Sequence, residues 1–124
     1  MALMPFAKQL GIAITRADKD EVVATMAHAA ERTTAGNALH GGAIMALADS
    51  VGAVCAFLNL PAGATTSTTS SSTVFLRGVR GGVVTATAHP VHVGRSTIVV
   101  TTELHDDAGR LVAQTTQTQA VLTP

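Results

Sequence analysis

His40-Gly41-Gly42 stands directly before an apolar stretch, Gly41 to Leu60, whose single charged residue is Asp49. A lone carboxylate among apolar neighbours can take a proton from water or attack a carbonyl itself. Paired glycines at a helix start let a ligand approach the backbone closely. The free N–H groups of such a terminus, backed by the helix dipole, can hold an oxyanion. Carboxylate and oxyanion donor together point to addition at a carbonyl group.

On a 3.6-residue wheel, Ile44, Leu47, Val51, Val54 and Leu58 form one narrow stripe that should press on a sheet. Asp49 falls on the other side, beside Met45, Gly52, Ala53 and Ala56. A solvated helix side carries several lysines and glutamates, and this one has none. Asp49 is therefore expected in a covered, partly dry site made by a second subunit, where burial favours a base. Gly41 and Asp49 are eight residues apart, roughly 12 Å along the axis. One carbonyl cannot readily touch both, so a working site should pair Gly41 of one subunit with Asp49 of another.

Other candidates are weaker. Ala48-Asp49-Ser50-Val51-Gly52 loosely resembles a nucleophile elbow, but that motif needs a strand, a sharp turn and a helix, and Ser50 is mid-helix. Cys55 falls on the core side of the wheel, as packing. His89 and His92 are three apart, which in a regular strand puts them on opposite faces, and no cysteine cluster accompanies them, so no metal site is expected. Arg77, Arg80 and Arg95 could bind phosphates.

The elements that must carry these residues follow from periodicity and punctuation. Met1 to Gly11 reads as a short helix or arm. Ile12 to Arg16 and Val22 to Ala27 read as strands around Asp18-Lys19-Asp20. Gly41 to Leu58 is the one strong helix, ended by Leu60-Pro61-Ala62-Gly63. Thr65 to Arg77, Val83 to Val93, Ser96 to Leu104 and Leu111 to Leu122 read as four more strands. Pro90 implies a bulge or an edge, and Asp106-Asp107-Ala108-Gly109 a hairpin. Two strands, one helix and four strands make an α+β domain with an antiparallel sheet and one covering helix.

The chain has 124 residues, enough for one domain, 1–124, with a modest core. It is 47% hydrophobic and only 13% charged, which leaves little to solvate a free surface and favours covering by another subunit. Formal net charge is zero and no basic stripe appears, so no nucleic-acid partner is expected. Cys55 is the one cysteine, so no internal disulfide can form. Met1 to Leu10 carries only Lys8 as a charge and lacks a continuous apolar stretch, so no export signal is expected. The apolar run Ala43 to Leu60 is read as a buried helix and not a membrane span. The expectation is a cytoplasmic protein.

The stretch His40 to Asp49 resembles the signature of hotdog-fold thioesterases of the phenylacetate-degradation type. Phe75-Leu76-Arg77 resembles that family's strand after the helix, Gly94-Arg95-Ser96 its turn near the CoA phosphates, and Gly109-Arg110-Leu111-Val112-Ala113 its last hairpin. The resemblance implies a long helix wrapped by an antiparallel sheet, and dimers with two shared sites, often paired as tetramers. It implies hydrolysis of an acyl-CoA or aryl-CoA, with CoA as part of the substrate and no separate cofactor. The family's acid falls on Asp49, its oxyanion amide on Gly41, and His40 helps to position the loop. Arg77, Arg95 and Ser96 are the CoA-binding candidates. A hydroxyl that steadies the attacking water falls on Thr68 counting back from Phe75, or on Ser67 counting forward from Asp49. One departure is Thr34, where many members carry Asn or Gln six residues before the histidine; Asn37 is nearby but out of register. Thr34 keeps open a non-catalytic acyl-CoA-binding module. A hotdog dehydratase is a weaker third reading, since its histidine-containing helix motif is missing.

Overall fold

The computed structural model describes residues 4–124, so the part of the N-terminal arm at 1–3 lies outside the described residues. Pro5 opens a five-residue helix, α1 (Pro5–Gln9), in the position where a missing N–H costs nothing. β1 (Ala13–Ala17) and β2 (Val22–Ala27) follow, joined by a turn in which Asp18 Oδ1 accepts the N–H groups of Asp20 and Glu21. A loop with two short 3₁₀ turns leads to α2 (Gly41–Leu58). Then come β3 (Thr65–Phe75), β4 (Val83–Val93), β5 (Thr97–His105) and β6 (Leu111–Leu122).

The six strands form one antiparallel sheet in the order β1-β2-β4-β5-β6-β3. The strand that follows the helix therefore pairs with the last strand, at the far edge. The sheet curls around α2, which packs against strands from β1 through to β3. This is the hotdog arrangement, an α+β domain of the class expected.

Alternation builds the core on the helix-facing side. Val84, Ala86 and Ala88 of β4, and Ile98, Val100 and Leu104 of β5, are all fully buried. The helix meets them with Ile44, Leu47, Ala48, Val51, Cys55 and Ala56. This is a wider arc than the stripe read from the sequence, and rotated. Val54 is only partly buried and Leu58 is exposed, while Gly52 and Ala56, expected on the open side, are buried. The curled sheet explains the shift, because β3 and β6 climb the side of α2 that a flat sheet would leave bare. By length and a mean hydropathy of 1.7, α2 could cross a membrane, but half of it is buried inside this fold, where it is the core helix.

Candidate active site

Asp49 sits where α2 meets the inner faces of β3 and β6. Its side chain is exposed in the single chain, so the cover expected over it does not come from the same copy. One oxygen is held by the sheet. Asp49 Oδ1 accepts from Thr68 Oγ1 at 3.1 Å and from Gln117 Nε2 at 3.3 Å. Thr68 Oγ1 in turn accepts from Gln119 Nε2 at 2.7 Å, and Gln119 Oε1 accepts from Thr66 Oγ1 at 3.1 Å. Thr66 and Thr68 lie two apart, on one face of β3, while Ser67 points to the other. Thr68, not Ser67, is the hydroxyl that meets Asp49.

The two glutamines were not singled out from the sequence. Both are buried, Gln117 wholly, on the inner face of β6 beside buried Thr115. Within Leu111 to Leu122, every position from Gln114 to Gln119 is polar, so a period-2 search for an apolar inner face finds no preference for either side. Gly52 makes room for this row. A Cβ there would fall 1.9 Å from Gln117 Oε1. The small residues beside Asp49 thus admit the chain's own β6.

The other end of α2 is capped by His40, whose Nδ1 accepts the Gly42 N–H at 2.8 Å, while its carbonyl oxygen accepts from Ala43 and Ile44. The neighbouring Gly41 N–H has no partner among the described residues. Gly41 opens into a cleft of about 400 Å³ walled by Leu39, Ile44, Phe75, Leu76 and Arg77. Phe75 lies close over it, 3.3 Å from where a Cβ would stand. A free amide at a helix N-terminus, beside an arginine, has the chemistry to hold an anion or a carbonyl oxygen.

Arg95 and Ser96 are exposed on the β4–β5 turn, where Ser96 O accepts the Val121 N–H, next to the start of β3. Arg77 follows the end of β3. Nine residues of extended strand separate the two places by about 30 Å. One chain therefore brings together Asp49 and Thr68, and separately Gly41, His40 and Arg77, with Arg95 and Ser96 near the first group's end of the sheet. Thr34 is exposed on the loop before α2, with extended backbone, and its N–H donates to Ala38 O.

Two other readings change. Pro90 does mark a bulge, and the register slips between Pro90 and His92. His89 pairs with Thr101 and His92 with Val99, two residues apart, so the extra residue returns both histidines to one face. They were expected on opposite faces. No group of three metal-ligating side chains occurs among the described residues, and His89 Nε2 lies 3.4 Å from Glu21. Ser50 is buried within the helix and donates to Ala46 O, which rules out an elbow. Burial pushes the Cys55 thiol up to about 11, so it packs and does not attack.

A long helix in a curled antiparallel sheet, with one carboxylate pinned at its flank, defines a hotdog-fold domain with a candidate site. The Thioesterase superfamily pattern matches residues 36–113, and the chain belongs to that family. It is 30% identical to the proofreading thioesterase EntH of Cronobacter sakazakii, over 93% of this chain and 84% of the relative. Relatives with esterase names from Vibrio cholerae and Deinococcus radiodurans are 40% and 39% identical over 67% and 82% of this chain. The chain spans only 55% and 64% of the length of those two. Among solved structures, a Haemophilus influenzae thioesterase superposes with TM-score 0.93 at 30% identity, covering 98% of this chain and 87% of that one. The Escherichia coli PaaI protein of the phenylacetic acid degradation operon superposes with TM-score 0.88 at 28% identity, covering 95% and 84%.

Proposed function

We propose that the chain hydrolyses an acyl-CoA or aryl-CoA thioester in sites shared between two copies. The observation that carries this reading is the pairing of an exposed carboxylate, braced by Thr68 and Gln117, with an unpartnered Gly41 N–H too far along the same helix to act with it. The Gly41 N–H would polarise the thioester carbonyl. Asp49 would take a proton from water as it attacks the carbonyl carbon, or attack directly to form an anhydride that water opens. In either route the C–S bond breaks, CoA leaves as a thiolate, and the acid remains. Thr68 would steady the water or the carboxylate, and His40 holds the loop that presents Gly41.

Sheet topology supports the sharing. β3 is an 11-residue edge strand, exposed along nearly all of its length and without a charge from Ala64 to Leu76. Such an edge invites pairing. A two-fold axis beside Ser71 and Ser72 would set Phe75 of one copy against Thr68 of the other. That brings the Gly41 cleft of one copy to Asp49 of its partner, with both helices on the same side of a continuous sheet. The same axis carries Arg77 of one copy toward Arg95 and Ser96 of the other, so one CoA could meet all three. Two such dimers would pair through their remaining faces.

A panel of CoA thioesters, followed by thiol release, tests the activity. Turnover on at least one aryl or medium-chain acyl-CoA is expected. Binding without turnover across the panel would instead support the non-catalytic binder that Thr34 keeps open.

A further inference from the structure

The inner face of β6 breaks the rule that β2, β4 and β5 obey. β2, β4 and β5 present mainly Val, Ala, Met, Ile and Leu to the helix, whereas β6 presents Thr115, Gln117 and Gln119, all buried. A buried primary amide costs free energy unless its groups are bonded. Gln119 meets that demand within the sheet, between Thr66 and Thr68. Gln117 does not. Its Nε2 donates only to Asp49, and its Oε1 has no partner. A core glutamine whose one bond goes to an exposed carboxylate contributes little to folding, and an apolar residue of its shape would serve the core better. Its placement has a use only if the direction of that carboxylate matters.

We infer that Gln117 is a positioning residue that fixes the Asp49 carboxylate, with Gln119 fixing Thr68 as the second brace. Two donors on Oδ1 leave Oδ2 as the oxygen free to face substrate or water. Both glutamines stand on β6 and Thr68 on the strand paired with it, so the carboxylate, the hydroxyl and the sheet move as one body. The inference rests on the reading of Asp49 as the acting carboxylate.

The test compares Gln117→Leu, Gln117→Glu and Asp49→Asn in the assembled protein. Gln117→Leu should keep the assembly and a Tm equal to or above the parent's, hold KM within about threefold, and lose roughly 10- to 100-fold in kcat, because a misdirected base costs rate and not binding. Gln117→Glu sets a second carboxyl against Asp49, and the two should share a proton. The acid limb of the pH–rate profile should then move up by about one unit or more. A packing role would lower Tm and leave both kcat and the limb alone. Parental kcat and an unmoved limb, with Asp49→Asn inactive, would overturn the role of Gln117 and leave Asp49 standing. Near-parental kcat in Asp49→Asn would instead remove the reading beneath it. Should Gln117→Leu fail to assemble, Gln117→Glu decides alone, and an unmoved limb overturns the inference.

Discussion

At the scale of the residue, the proposed function rests on the Asp49 carboxylate and the two donors that hold its Oδ1. Asp49→Ala should still fold and assemble, since Thr68 and Gln119 still bond each other, with a small loss of Tm as Gln117 loses its one partner. Its kcat should fall by roughly 10²–10⁴, the range for loss of a positioned base. Asp49→Asn should be similarly poor, because an amide holds water but cannot take its proton. Steady-state kinetics on the best thioester measures both. The hydroxyl separates by strand face: Thr68→Val should lower kcat, while Ser67→Ala, on the opposite face, should leave it near parental. Asp49 was legible in the sequence because it is the one charge on a long helix. Thr68 was legible only to within one residue, since counting from either end crosses an irregular strand, slipped between Thr68 and Ser70. Gln117 was not legible, because nothing in a run of Thr and Gln says which face is dry. Cys55 gives a pH test of its own kind. With its thiol held up near 11 by burial, the reactive thiolate is scarce at neutral pH. Iodoacetamide at pH 8 should leave the folded protein unlabelled and label it once denatured; fast labelling of the native state would contradict the burial.

At the scale of the element, α2 is read correctly as a helix and only in part as to its buried side: Ile44, Leu47 and Val51 are core, but the buried arc is wider and leaves Leu58 out. The periodicity fixes the angle between residues but not how far a sheet wraps around the result. Gly52 shows the consequence. The sequence places it on the side expected to face a second subunit, and the structure fills that place with Gln117 of the same chain. Gly52→Ala should raise helix propensity and yet lower kcat, because a Cβ 1.9 Å from Oε1 forces the amide to swing off Asp49. Kinetics and thermal melts of this variant, read together, check the claim; unchanged kcat would show that the amide can move without cost. Pro90 shows the same gap between existence and consequence. A bulge or an edge was expected from proline's missing donor, and the effect of the bulge, turning His89 and His92 to one face, follows only from the slipped register.

At the scale of the whole molecule, strand count, order along the chain and the single covering helix were all legible in pattern and punctuation. The sheet order was not, since nothing local says that β3 closes on β6 and leaves its other edge free. In the proposed dimer, that free edge joins the two halves of the site. Arg95→Ala should raise KM for CoA thioesters far more than it lowers kcat, as a phosphate contact holds ground and transition states alike. The loss should shrink on a thioester lacking the CoA nucleotide; an equal loss on both substrates would take Arg95 out of the site.

The central claim, a site built from Gly41 of one copy and Asp49 of the other, is tested most directly by mixing two disabled variants. Gly41→Pro removes the N–H at the first position of α2, where proline is tolerated, and His40 before it already has the extended backbone that proline requires. Asp49→Asn removes the base. Each should be nearly inactive alone. Co-expressed in equal amounts, half of the dimers would be mixed, and each mixed dimer would hold one intact site. Thiol release should then recover to about a quarter of the parental rate. A mixture as inactive as its components would contradict the shared site, because a site contained in one chain cannot be repaired by its partner.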